Sequence, residues 1–153
     1  MKIEITNLEP QIAVATKMTA VNMEHIAEIT TKGYAKLMEY LAKQGKQIAG
    51  APYLAYMNAN EDWSQFDIEL GIPVSETVPV QDEFYMSCSC EGKAITTTYK
   101  GPYKDIEVAY IALMDYAKEN TLESTGVYYD YYLNDPAETP ESELLTLVVF
   151  PIK

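Results

Sequence analysis

The side chains with the clearest capacity for chemistry form one run, Tyr128-Tyr129-Asp130-Tyr131-Tyr132. In a β-strand, alternation would put Tyr128, Asp130 and Tyr132 on the same face. An acid between two aromatic rings suits a flat lipophilic cation, because ring faces attract positive charge and a partly desolvated carboxylate adds a counter-charge. A packing explanation is equally open at this point, since tyrosine is favoured in half-buried strands.

The first half of the chain offers three more candidate ligand-binding residues. Tyr56 takes the position of Tyr132 when the two halves are aligned. Glu69 falls in a strand predicted over residues 66–70, where it shares a face with Asp67. Trp63 stands in the polar loop before that strand, where it could cover a ligand or anchor the loop. A lone loop tryptophan favours the anchor.

Familiar catalytic and metal-binding patterns are absent from the sequence. There is no glycine-rich phosphate loop, no His-Glu-x-x-His and no Gly-x-Ser-x-Gly. His25 is expected on a helix surface, and the closely spaced Cys88 and Cys90 are expected as reduced thiols on one face of a strand. The sequence therefore predicts no metal site and no cofactor. If the protein is an enzyme, Asp130 is the candidate general base, acting through a water molecule.

Charge narrows the range of partners. The chain carries 23 Asp and Glu against 11 Lys and Arg, for a formal net charge of −12. Such a surface repels phosphate backbones and anionic lipids, so direct nucleic-acid or membrane binding is disfavoured. No leader-like segment and no apolar run of about 20 residues is present. We expect a cytoplasmic protein.

The 153 residues read as a single domain built from two similar halves. Segments 50–58 and 66–74 have counterparts at 126–134 and 145–152, and both strand pairs end in an apolar-Pro-apolar triplet. This similarity predicts two pseudo-repeats, about residues 1–78 and 79–153.

Each half contains one helix between strands. Apolar residues recur with helical spacing at positions 34, 37, 38 and 41 and again at 106, 109, 110, 113 and 117. Strands are predicted at 12–16 and 94–99 before these helices, with shorter ones at 3–5 and 84–90. The predicted fold is α+β, with duplicated β-α-β-β halves related by a pseudo-two-fold axis. The helices would pack on one face of an antiparallel sheet, and a central cleft would bind a ligand.

Five motifs, in order along the chain, resemble the GyrI-like small-molecule-binding domain. That domain is also the effector-binding part of multidrug-sensing bacterial transcription activators. The motifs are Gly-Ala-Pro at 50–52, Glu-Leu-Gly-Ile-Pro-Val at 69–74, Tyr-Lys-Gly-Pro-Tyr at 99–103, Tyr-Leu-Asn-Asp-Pro at 132–136 and Phe-Pro-Ile at 150–152.

The resemblance implies two halves around an aromatic-lined pocket for lipophilic, often cationic compounds. Family members serve as effector modules, as antibiotic-sequestering or gyrase-protecting proteins, and as hydrolases of cyclopropane-containing toxins. The family's pocket glutamate corresponds to Asp130. Many members have a further acid where this chain has Leu147, so the floor of the pocket is expected to be more apolar here, which favours binding over hydrolysis.

Residues and resemblance together predict a stand-alone binding protein for hydrophobic, cationic or aromatic small molecules, because the chain begins at its first strand. Its ligand-binding residues would be Asp130, Tyr128, Tyr132, Tyr56, Glu69 and Trp63. One alternative is a hydrolase of cyclopropanoid or other electrophilic toxins, with Asp130 as general base. Another is an acidic protective protein that engages a topoisomerase or another basic protein partner.

Overall fold

The computed structural model describes all 153 residues and contains eight strands and two helices. The strands are β1 Glu4–Leu8, β2 Ile12–Val21, β3 Tyr53–Met57, β4 Phe66–Pro73, β5 Tyr85–Cys88, β6 Gly92–Lys100, β7 Tyr128–Tyr132 and β8 Leu145–Pro151. The helices are α1 Ile26–Lys43 and α2 Glu107–Glu119. All strand pairs described below are antiparallel, which confirms the predicted α+β class.

The chain forms two compact units. The contiguous unit comprises Pro10–Ser89, and the two-segment unit combines Met1–Glu9 with Cys90–Lys153. Each unit contains four strands and one helix. The predicted pseudo-repeat boundary near residue 78 describes sequence similarity and stays a prediction.

In the contiguous unit the strand order is β3-β4-β2-β5. Helix α1 covers the face that carries the buried side chains of Ile68, Leu70 and Ile72. The helix approaches this face so closely at Gly33 that an added Cβ would lie 2.2 Å from Leu70 Cδ1. A glycine in a helix interior costs about 1 kcal/mol relative to alanine, and here it permits close packing of helix on sheet.

Helix α1 ends where the sequence predicts. Gly45 adopts a left-handed φ of +68°, and the N–H of Lys46 donates to the carbonyl of Leu41 at 3.0 Å. Glycine is favoured at this position because it has no Cβ to oppose a positive φ. His25 lies exposed at the N-cap position of the same helix.

The two-segment unit has the strand order β1-β6-β8-β7. Helix α2 packs against β6 and β8. Its Ala109 and Leu113 are fully buried in a core that includes Ile95, Val148 and Phe150. Because alternate residues of β8 point to opposite sides, Val148 and Phe150 face α2 while Leu147 and Val149 face away from it.

The segment that connects β6 to α2 contains Gly101, whose φ of +141° favours a glycine. A Cβ there would lie 2.9 Å from the Tyr99 hydroxyl oxygen, and that hydroxyl donates to the Pro102 carbonyl at 2.8 Å. A 3-10 turn, Tyr103–Asp105, follows Pro102 and leads into α2. The Gly-Pro pair therefore begins a 3-10 turn, and the α-helix starts at Glu107.

Candidate functional site

Asp130 lies in β7 on the side of the sheet covered by α2. Only 3% of the residue is exposed, and its partner across the ladder is Val148 of β8. Tyr110 of α2 donates its hydroxyl hydrogen to Asp130 Oδ1. Burying a carboxylate is costly unless hydrogen bonds or opposite charge compensate, so this acid is held at an energetic cost.

Tyrosine and phenylalanine rings surround the acid on this face. The Tyr128 ring meets Phe150 edge-on at 4.5 Å between centroids, and Tyr110 stacks on the same Phe150 at 5.6 Å. Tyr132 contacts Tyr103 edge-on at 5.4 Å. The structure thus brings together Tyr128, Asp130 and Tyr132, with a carboxylate and aromatic surface on one face.

Two residues of this group, Tyr103 and Tyr110, are not among the candidates from sequence. Tyr110 belongs to the apolar stripe of α2, and Tyr103 stands in the Gly-Pro-Tyr motif. The only sequence signal for either is a hydroxyl-bearing aromatic on a core-facing position. Burial raises the pKa of Tyr103, and the charges of Asp135 and Asp130 raise it further.

The opposite face of the same sheet corrects one expectation. Leu147 pairs with Tyr131 across the ladder and packs in a cluster with Tyr129, Tyr131 and Val149. Leu147 therefore does not form the floor of a site that contains Asp130. Strand alternation is the reason, because position 147 is odd and the α2-facing positions of β8 are even.

In the contiguous unit, Tyr56 and Trp63 belong to one aromatic cluster with Phe66. The ring centroids lie 6.5 Å apart for Tyr56 and Trp63, 5.7 Å for Trp63 and Phe66, and 5.5 Å for Tyr56 and Phe66. Trp63 is 37% exposed and has a φ of +58°, which is unfavourable for a bulky side chain. Asn60 braces this loop, accepting from the Gln65 N–H at 3.2 Å and donating to Ser64 Oγ at 2.8 Å.

Glu69 lies on the other face of the contiguous unit's sheet, away from α1. Its oxygens accept from the hydroxyls of Tyr53 at 2.8 Å and Tyr85 at 2.7 Å, and from Ser87 at 3.1 Å and 3.2 Å. Burial, followed by the hydrogen bond to Glu69 and the charge of its carboxylate, raises the pKa of Tyr85. We call Glu69, Tyr53, Tyr85 and Ser87 the Glu69 cluster.

Small residues beneath the Glu69 cluster make room for its rings. Ala13 and Ala15 of β2 pair with Ser87 and Tyr85 of β5. A Cβ added to Gly71 would lie 2.2 Å from Cζ of Tyr53. Glycine in mid-strand often marks such a close approach. Each Glu69 oxygen accepts hydrogen bonds from two hydroxyl groups. Because these hydroxyls belong to β3 and β5, the cluster links both strands to β4, which carries Glu69.

The cysteines differ from the expected pair. Cys88 ends β5 and is exposed, whereas Cys90 lies beyond the strand and is buried. They therefore do not share a strand face, because the ladder with β2 stops at the pair Ile12 and Cys88.

No group of three or more His, Cys, Asp or Glu side chains is placed to hold a metal ion. Neither helix combines the length and the apolar character that a membrane-spanning helix needs.

Antiparallel strands covered by one helix in each unit, with a buried acid among tyrosine rings in one of them, define an α+β protein. The chain belongs to the GyrI-like small molecule binding domain family, whose sequence profile matches residues 1–153. This match confirms the resemblance based on the five motifs. No curated protein sequence shows a significant match.

Solved structures establish the same fold. The C-terminal domain of EcmrR is 17% identical with a TM-score of 0.80, over 99% of this chain and 97% of that chain. In the EcmrR complex with DNA the TM-score is 0.84 at 17% identity, over 99% of this chain, which spans 57% of the EcmrR chain. SAV2435 bound to tetraphenylphosphonium is 13% identical with a TM-score of 0.70, over 100% of this chain and 94% of that chain.

Proposed function

We propose that this protein binds hydrophobic organic cations at the Asp130 face of the two-segment unit. The observation that carries the proposal is a carboxylate with only 3% exposure among tyrosine rings. A water-stripped carboxylate attracts a cation more strongly than an exposed one, because the effective dielectric is lower. Aromatic rings add favourable contact with both the charge and the apolar body of such a ligand.

Asp130 supplies the counter-charge in this proposal, and Tyr128 and Tyr132 supply ring surface. Tyr110 holds the carboxylate in place through its hydroxyl. The structure of SAV2435 with bound tetraphenylphosphonium supports the ligand class, since that protein shares the fold. In the contiguous unit, the aromatic cluster of Tyr56 and Trp63 is proposed as a separate contact surface for an aromatic ligand.

Tetraphenylphosphonium and tetraphenylborate provide a sharp test, because they share size and shape but carry opposite charge. Calorimetric titration should show binding of the cation and not of the anion. Replacing Asp130 by Asn should weaken cation binding by about 10- to 100-fold, the equivalent of about 1.4–2.7 kcal/mol. Asp115→Asn, at an exposed position of α2, is the control for loss of charge alone and should leave affinity unchanged.

Two results would contradict the proposal. One is equal affinity for the cation in the parent protein and in Asp130→Asn. The other is equal binding of cation and anion by the parent. A folded Asp130→Asn variant is required for either comparison, and its circular dichroism and unfolding midpoint establish that.

Hydrolysis of an electrophilic ligand is the second candidate function. One observation in its favour is the buried Tyr110–Asp130 pair, which could orient a water molecule. The other is a fold shared with a Listeria innocua hydrolase encoded by lin2189. That protein is 13% identical with a TM-score of 0.64, over 99% of this chain and 92% of that chain. Mass spectrometry after long incubation with cyclopropanoid compounds distinguishes the two functions. Product that Asp130→Asn fails to make would establish turnover.

A further inference from the structure

Two buried hydroxyl groups in this protein have no hydrogen-bond partner, Tyr103 Oη and Thr146 Oγ1. Both lie next to Tyr132. The Tyr103 ring contacts the Tyr132 ring at 5.4 Å, and Thr146 is the residue opposite Tyr132 in the ladder between β7 and β8. Thr146 is fully buried. Two unpaired hydroxyls therefore flank one side chain of the proposed binding face.

Unpaired buried hydroxyls are uncommon, because each loses its hydrogen bonds to water without replacement. Phe at position 103 or Val at position 146 would remove the unpaired hydroxyl and leave the shape of the side chain almost unchanged. Their position is also specific. Tyr132 stands two residues from Asp130 on the same strand face, a separation of about 7 Å along the strand.

Each of the two hydroxyls has a hydrogen that it can donate. Burial and the neighbouring charges of Asp135 and Asp130 raise the pKa of Tyr103, so its hydroxyl stays protonated at neutral pH and is a donor. The threonine hydroxyl can donate or accept. An acceptor atom would pair with the hydrogen that each hydroxyl leaves unused, and a neutral oxygen fits better than an anion because two carboxylates are close by.

Resting on the proposed function, we propose that Tyr103 and Thr146 form a polar subsite for an uncharged acceptor oxygen of the ligand. The positive charge of the same ligand faces Asp130. Preferred ligands are thus organic cations that carry a carbonyl or comparable oxygen about 7 Å from the charged centre. Hydrocarbon cations such as tetraphenylphosphonium would use only the Asp130 part of the face.

A matched ligand pair tests the subsite. Acetylphenyl-triphenylphosphonium and isopropylphenyl-triphenylphosphonium differ by a carbonyl oxygen in place of a methyl group, and both are permanently cationic. The meta and para isomers of each vary the reach of the oxygen. The parent protein should prefer at least one acetyl isomer over its isopropyl match by about 5- to 30-fold, the usual worth of one hydrogen bond in a dry site.

Tyr103→Phe and Thr146→Val should reduce this preference toward one while leaving isopropyl affinity unchanged. Tyr99→Phe is the control, because the Tyr99 hydroxyl already donates to the Pro102 carbonyl at 2.8 Å. That variant should keep the preference. A second readout needs no ligand: Tyr103→Phe and Thr146→Val should be at least as stable as the parent, since each removes an unpaired polar atom.

The subsite is refuted if the parent shows no preference for any acetyl isomer, or if Tyr103→Phe and Thr146→Val both retain it. Loss of stability in both variants would also refute it, because it would show that the hydroxyls already have structural partners such as bound water. Failure of the proposed function has a different signature, in which the parent binds neither the acetyl nor the isopropyl cation.

Discussion

Replacing Gly71 by Ala tests the packing that builds the Glu69 cluster. The new Cβ would lie 2.2 Å from Cζ, 2.3 Å from Cε2 and 2.5 Å from Oη of Tyr53. Tyr53 is fully buried, and its hydroxyl donates to Glu69 at 2.8 Å. The ring cannot swing aside as a flexible surface chain would. It must shift and weaken that hydrogen bond.

The expected loss in free energy of unfolding is about 2–4 kcal/mol. Overpacking a buried strand position costs about 1–3 kcal/mol. Weakening a hydrogen bond to a charged group adds about 1 kcal/mol, as part of its usual contribution. For a chain of this length, the loss corresponds to a fall in melting temperature of about 5–15 °C. Urea unfolding followed by circular dichroism measures the free energy directly.

Gly50→Ala is the matched control for this experiment. Its Cβ would also meet an atom closely, at 2.4 Å, but that atom is Oε1 at the far end of the exposed Gln11 side chain. We expect a change within about 0.5 kcal/mol, as for most surface substitutions. The Tyr53→Leu substitution then tests the cause. When Gly71→Ala is added to that variant, the ring that would clash with the new Cβ is already gone.

Coupling between positions 53 and 71 is the critical result. The double variant should be more stable than the sum of the two single losses predicts, by about 1–3 kcal/mol. If the two losses simply add, or if Gly71→Ala behaves like Gly50→Ala, the close approach of the Tyr53 ring does not determine this position and the packing argument is wrong.

Three further expectations concern titration, reactivity and the tryptophan loop. The folded protein raises the pKa of Tyr85 above its unfolded value of 10.0, so the stability that the protonated side chain contributes is present below about pH 10 and is lost as the pH rises further. When urea unfolding is measured from pH 9 to 11.5, the free energy of unfolding should fall less steeply in Tyr85→Phe than in the parent. Burial raises the pKa of Cys90 to about 11, so at pH 8 roughly one thiol in a thousand is ionised, and peptide mass spectrometry after iodoacetamide should find label on Cys88 well before Cys90. Asn60→Ala removes the brace of a loop with a positive φ and should red-shift the emission of Trp63, whereas unchanged emission would mean that the aromatic contacts alone hold the loop.

Much of the local structure follows from the sequence because it depends on near neighbours. The helical stripe ending before Gly45 and the strand residues at 128–132 need only periodicity and turn chemistry. Strand lengths were less accessible. The sequence predicts a strand over 12–16, but β2 continues to Val21, because Val21 pairs with Phe66 beyond a bulge after Met18. That extension is set by a partner about 50 residues away, which no local pattern records.

In the candidate site, too, the sequence predicts the arrangement of near neighbours and does not predict contacts between distant elements. Alternation places Tyr128, Asp130 and Tyr132 on one face, since only the strand assignment is needed. The hydroxyl that Tyr110 offers to Asp130 depends on how α2 lies on the sheet. The three donors around Glu69 come from strands β3 and β5, so their convergence requires the complete strand order. Contacts across several elements are the part that single-sequence reasoning misses.

The strand order in the two units bears on synthesis at the ribosome. All residues of the contiguous unit have been made once Ser89 is added, so that unit can assemble on the nascent chain. Strand β1 emerges first, yet Thr6 and its neighbour Thr96 are 90 residues apart. Strand β8 is the last to be made and lies between β6 and β7. The sheet of the unit that carries Asp130 therefore lacks its central strand until its other three strands have been made, and a chain that stopped before Leu145 would leave β6 and β7 with no strand between them.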